Sequence, residues 1–134
     1  MWALKNEALF SAEIPGRVGI KKNSRRLAVI RGKPMSFSSK RFSTWEKVAL
    51  FHLKQTKTRC SSILTGGLHA SYTFHFKNRA SEPDVSNCIE GVQDCLQLAS
   101  IIENDKQIIS LDAKKIIDGT EKTIVQLYTV EAQP

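Results

Sequence analysis

Glu82-Pro-Asp-Val-Ser-Asn-Cys-Ile-Glu-Gly-Val-Gln-Asp-Cys-Leu-Gln-Leu-Ala-Ser-Ile-Ile-Glu-Asn-Asp-Lys-Gln-Ile-Ile109 is the stretch whose reading decides the fold. Pro83-Asp84 is a turn that launches an amphipathic helix from about Val85 to Leu98. Val85, Cys88, Ile89, Val92, Cys95, Leu96 and Ala99 recur at helical spacing, and Ser86, Glu90, Asp94 and Gln97 take the other face. Glu103-Asn-Asp105 is a short acidic loop, after which Gln107 to Ile117 reads as a strand.

Upstream, Leu68 to Lys77 alternates cleanly. Ala70, Tyr72, Phe74 and Phe76 fall on one side, with Ser71, Thr73, His75 and Lys77 on the other, the pattern of a strand with one covered face. Ser38-Ser39 offer an N-cap for a helix over Lys40–Lys54. Phe42, Trp45, Ala49 and His52 share its apolar face, which Val48, Phe51 and Leu53 widen. Thr56 to Gly67 reads as a polar loop. Ala8 to Ile14 is a first strand ending at Pro15-Gly16, and Leu27 to Arg31 is a second, turned by Gly32-Lys-Pro34. Downstream, Asp118-Gly119 is a turn signal and Thr123 to Val130 a closing strand, which together predict a terminal β-hairpin. The order β-β-α-β-α-β-β predicts an α+β fold, one domain over residues 1–134 with a mixed sheet packed with two main helices.

The 134 residues suffice for a core without staples. No long uncharged apolar run suggests a membrane span, and the first residues lack the pattern of a signal peptide, so the expected setting is the cytoplasm. Cys60, Cys88 and Cys95 are odd in number and lack Cys-x-x-Cys spacing, which argues against disulfides and zinc. Cys88 and Cys95, seven apart, read as small core residues. The net charge of +7 is uneven. Residues 1–60 hold 14 Lys or Arg and 3 acids (+11), and residues 61–134 hold 6 and 10 (−4). A polyanion such as nucleic acid would be drawn to the first half, although a solvated basic face explains charge alone equally well.

Hydrolysis of a phosphodiester needs charge neutralised on the phosphate and an activated water, which carboxylate-held Mg²⁺ ions provide. Asp84 before the helix and Asp105 before the strand are candidate ligands if those ends converge. Glu90, one turn after Ser86, could add a third oxygen, and Glu103 could reach the same place. Each has a plain structural role too: Asp84 as N-cap, Glu90 and Asp94 as solvated face, Asp105 as turn residue. Spacing alone favours those roles. His52, His69 and His75 form no spaced set, and Trp2 and Trp45 read as core or interface residues. Gly66-Gly67 is no phosphate loop, so no nucleotide cofactor is expected.

Two segments resemble the RusA family of Holliday junction resolvases. The first comprises Ile20-Lys-Lys-Asn-Ser24, Gly32-Lys-Pro34 and Ser38-Ser-Lys-Arg-Phe-Ser-Thr-Trp-Glu46. It resembles the family's Ser-Lys-Lys-Asn-Ser loop, basic hairpin and first-helix start. The second comprises Pro83-Asp-Val-Ser-Asn87 and Glu103-Asn-Asp-Lys-Gln-Ile-Ile109, similar to the family's Pro-Asp-x-Asp-Asn helix start and Asp-Asp-x-Gln-Ile/Val strand start. Together they organise nearly the whole chain.

The resemblance implies a homodimeric, Mg²⁺-dependent endonuclease acting on four-way DNA junctions, of a type common in phages and prophages. It implies metal ligation by Asp84 and Asp105. The family's other helix-start acid falls on Ser86, the first acid of its Asp-Asp pair on Asn104, and its functional lysine on Glu90. Glu90, at i+4 from Ser86, is the expected replacement for the lost carboxylate. Lys21, Lys22, Asn23, Arg25, Arg26, Lys40 and Arg41 are the expected DNA-binding residues, contacting backbone with little sequence preference. Two other readings compete: a junction-binding protein that does not cleave, favoured by the missing carboxylates, and a basic structural or RNA-associated protein, favoured by charge.

Overall fold

Leu68–Phe76 buries Leu68, Ala70, Tyr72, Phe74 and Phe76 almost completely, while His69, Ser71, Thr73 and His75 stay half-buried on the other side. The rest of the fold covers that apolar row. The computed structural model describes residues 2–4, 7–20, 26–30, 33–37, 40–60, 63–79 and 82–132. Its elements are β1 (Trp2–Leu4), β2 (Phe10–Pro15), β3 (Arg26–Ile30), β4 (Lys33–Phe37), α1 (Lys40–Cys60), β5 (Leu68–Phe76), α2 (Val85–Leu98), β6 (Ile108–Ile117) and β7 (Lys122–Ala132). The α+β class, the mixed sheet and the two main helices are as the sequence predicts.

Strand β7 is antiparallel to both neighbours. On one side β1 and β2 follow each other along it, with Trp2 opposite Ala132 and Phe10 opposite Leu127. On the other lies β5, with Tyr72 opposite Val125. β6 runs parallel to β5, Tyr72 opposite Ala113, and forms the sheet's edge. β3 and β4 make a separate two-stranded ribbon. Phe10, Ala12 and Ile14 of β2 and Val125 and Leu127 of β7 continue the apolar row of β5. Phe42, Trp45, Ala49 and Leu53 of α1 and Cys88, Val92, Cys95 and Leu96 of α2 join them in one core. Among the described residues no helix is long and apolar enough to cross a membrane.

Four features differ from the sequence reading. The predicted terminal hairpin does not form, because β5 sits between β6 and β7. Residues 118–121 step over the end of β5, where Asp118 N–H donates to Phe76 O (3.2 Å) and Gly119 takes a positive φ of 83°. Two strand spacings are about 10 Å, within reach of four residues but not of a tight turn. The central place goes to β5, whose apolar row is unbroken, and the edge to β6, whose Asp112, Lys114 and Lys115 suit a solvated strand.

Helix α1 outruns its expected end and continues to Cys60, through Gln and Lys that favour helix and Thr56, whose hydroxyl donates to His52 O (3.1 Å). Its buried stripe is completed by Leu53 rather than His52, and Phe51 is 57% exposed. Pro34 is not a turn residue but part of β4, opposite Val29, as an edge of a two-stranded ribbon tolerates. Lastly, Trp2–Leu4 is a strand that the sequence pattern does not announce. The expected caps Ser38 and Ser39 lie outside the described residues, as does the side chain of Cys60.

Candidate active site

Asp84 occupies the N-cap of α2 in extended conformation (φ −64°, ψ 144°), yet its side chain makes no capping hydrogen bond. Its carbonyl accepts from the Asn87 and Cys88 N–H groups, which starts the helix, and its carboxylate is exposed. The side-chain hydrogen bond that usually accompanies an Asp at this position is therefore not made. Ser86 and Glu90 are exposed on the first turns of the same helix.

A cation that sequence spacing could not reveal stands beside this helix start. Lys115 of β6 donates from Nζ to Pro83 O (3.1 Å) and pairs with Glu82 at 3.6 Å. Arg17, following the turn at Gly16, lies with its guanidinium 5.9 Å from the centre of the Phe76 ring at the end of β5. Burial pushes the Cys88 thiol up to about 11, and the charges of Lys115 and Arg17 only partly oppose it. Cys88 is an unreactive core residue, as its spacing suggests.

Asp105 is held at the opposite end of α2. The helix stops where Ser100 adopts a left-handed φ of 58°, with Ser100 N–H donating to Gln97 O and Ile101 N–H to Leu96 O. Ile101 and Ile102 then enter the core. Asn104 caps a 3-10 turn over Asp105–Gln107 and accepts from Lys106 N–H (2.8 Å). Gln107 accepts from the Glu103 and Asn104 N–H groups and donates to Leu64 O and Gly66 O, pinning this loop to the start of β5. Asp105 N–H donates to Gln97 Oε1 at 2.8 Å. Glu103 shares a cleft of about 400 Å³ with Asp94 and Gln97.

The two acids expected to converge thus do not meet within one chain. The 14 residues of α2 separate them, about 20 Å at 1.5 Å per residue. Ligands of one Mg²⁺ lie about 2 Å from the ion, so Asp84 and Asp105 of one chain cannot share it. Among the described residues no three His, Cys, Asp or Glu side chains come together as a metal-binding group.

Of the expected DNA-binding residues, Lys21, Lys22, Asn23 and Arg25 lie outside the described residues. Arg26 opens β3 and Lys40 opens α1, with side chains outside the description, and Arg41 is exposed in the first turn of α1. His69 and His75 of β5 are engaged on the sheet face away from the helices. His69 Nε2 is 3.0 Å from Asp112 Oδ2, and its Nδ1 is 2.7 Å from Ser110 Oγ. His75 Nδ1 is 2.8 Å from Asp118 Oδ2. The hydrogen bond from His69 holds the Asp112 carboxyl below the usual range, and that from Thr120 does the same for Asp118.

The family model of the endodeoxyribonuclease RusA matches residues 17–128, which takes in the basic loop, both helices and both acidic ends of α2. No curated protein matches the chain.

Proposed function

Because the chain belongs to the RusA endodeoxyribonuclease family, we propose that it cleaves four-way DNA junctions as a Mg²⁺-dependent homodimer, residues 1–134 acting as one domain. The observation that carries this reading is the family match, which spans the basic first half and both acid-bearing turns. Endodeoxyribonuclease action on branched DNA comes with the family. Ion identity, subunit number and site residues are the proposal.

The separation of Asp84 from Asp105 gives the second copy a task. Among the described strands β6 is bonded on one side only, and it leaves Ile109 and Leu111 exposed, with Leu98 exposed at the end of α2. An antiparallel pairing of this edge with its twofold mate would set the start of β6 against the end of the partner's β6. The end of β6 is where Lys115 holds Pro83 and hence the start of α2. Such a dimer would bring Asp84 and Glu90 toward Asp105 of the partner subunit. The basic half would hold junction phosphates, with an affinity that falls steeply with salt.

A Mg²⁺ titration of a synthetic four-way junction tests this. Metal-dependent nicking of the junction but not of linear duplex is the expected result. Tight junction binding with no nicking at any Mg²⁺ concentration would instead establish the second reading, a junction binder whose site has decayed. That reading is favoured by Ser86 and Asn104 standing where the family has acids.

A further inference from the structure

Between the first turns of α1 and the turn after β2 lies a cleft of about 500 Å³ that the proposed hydrolytic reaction does not use. One wall is a stripe of α1 at i, i+3, i+4 and i+7: Arg41, Thr44, Trp45 and Val48. The other is the turn after β2, Pro15 to Arg17. The described lining holds two guanidinium groups and no carboxylate, and it starts in the first turn of α1, which has no acidic residue. An anion is favoured there both by the arginines and by the positive end of the helix dipole.

A second observation points to a ligand. Trp45 is 5% exposed, yet among the described residues its Nε1–H has no hydrogen-bond partner. Buried indole N–H groups usually have one. The Cε3–Cζ3 edge of the ring faces the core, where a Cβ on Gly19 would meet Cε3 at 3.0 Å and one on Gly91 would meet Cζ3 at 3.7 Å. Nε1 belongs to the opposite edge of the indole. The cleft therefore combines an apolar wall and two cations, and one of its lining residues, Trp45, carries a buried donor without a partner among the described residues. Its volume lies in the range that binds small organic ligands.

We propose that this cleft receives one unpaired nucleotide of the bound DNA, its base against Val48 and Pro15 and its phosphate between Arg17 and Arg41. Trp45 Nε1–H donates to an acceptor on the base edge when side chains adjust around it. All four bases carry such acceptors, so the cleft selects for an unstacked base rather than for sequence. An unpaired or distorted base is available at a junction crossover and scarce in linear duplex. The proposal rests on the DNA-directed reading above and adds to it a means of telling the two substrates apart. Position supports it: Arg17 reaches from the cleft to Phe76 at the end of β5, and α2 packs against Trp45 through Gly91.

The test uses the full chain with Trp2→Phe, which leaves Trp45 as the sole tryptophan. Its emission is followed during titration with dAMP, with deoxyadenosine and with inorganic phosphate. The expected result is a saturable change with dAMP, weaker binding of either fragment, and a loss of dAMP affinity of about tenfold or more in Arg41→Ala. Arg41 is exposed, so that variant keeps the fold, which circular dichroism verifies. An emission unchanged by dAMP, or a response equal in wild type and Arg41→Ala, overturns the proposal. Junction nicking is measured separately on the same preparations. Nicking without a Trp45 response removes the cleft alone, whereas a response without nicking removes the enzymatic reading and leaves the cleft standing.

Discussion

Mixing two inactivated variants tests whether the acids of the candidate site meet across a subunit boundary. Asp84→Asn and Asp105→Asn each remove a carboxylate with little cost to folding, since both residues are exposed and Asp84 makes no cap bond. The two positions are about 20 Å apart along α2 within a chain, several times the spread of oxygens around one ion. If each site takes Asp84 from one subunit and Asp105 from its partner, either homodimer is inactive at both sites. A heterodimer of the two variants concentrates both lesions in one site and leaves the other intact. Equal mixing with free exchange makes about half the dimers mixed, so about a quarter of wild-type sites are restored. The assay is nicking of a labelled four-way junction in Mg²⁺, with subunit exchange verified by native mass spectrometry. Recovery near a quarter of wild-type nicking is expected. No recovery in a fully exchanged mixture, alongside an active wild type, refutes a shared site.

Glu90→Ala is expected to abolish nicking while leaving junction affinity within a few-fold, as a filter-binding assay would show. Cleavage at wild-type rate removes Glu90 from the site. Gly91→Ala should destabilise the fold by about 1–2 kcal/mol despite the better helix former, because the added Cβ meets Gly19 O at 3.1 Å and Phe42 Cε1 at 3.3 Å. Urea unfolding measures it. Thr123→Val should gain about 1 kcal/mol, since the buried Thr123 hydroxyl has no partner among the described residues and valine keeps the β-branched shape. A lower melting temperature would show that the hydroxyl is satisfied. The Asp112 carboxyl is depressed in the folded chain, first by His69, so its contribution is present above about pH 4 and is lost as pH falls below it. Asp112→Asn should flatten the acid limb of the stability curve by lowering stability above about pH 5 while leaving the most acidic end largely unchanged.

Period and punctuation made much of this fold legible. The alternation of Leu68–Phe76 and the helical spacing from Val85 to Leu98 are local patterns, and both elements fall where those patterns put them. Sheet order is not local. Asp118-Gly119 does form a turn, but which strand lies beyond it depends on whether β5 or β6 has the apolar row that merits a central place. Lys115 escaped for the same reason: it reaches Pro83 only because a parallel strand returns beneath the helix, 32 residues later in the chain. The acids at both ends of α2 stand out in the sequence, but their distance is set by helix length. A single chain's sequence marks them as candidates without bringing them together.

The position of β7 bears on when the chain can fold during synthesis. β1, β2 and β5 all bond to β7 and not to one another, and β7 is made after all of them. While the ribosome is still translating, Phe10, Ala12 and Ile14 have no strand to pair with, and β5 has an open flank as well. The sheet closes only once residues near 132 have left the exit tunnel, so β2 and one flank of β5 stay without their strand partner through most of elongation. Nascent chains stalled before residue 122 should bind chaperones that chains released past residue 132 no longer need.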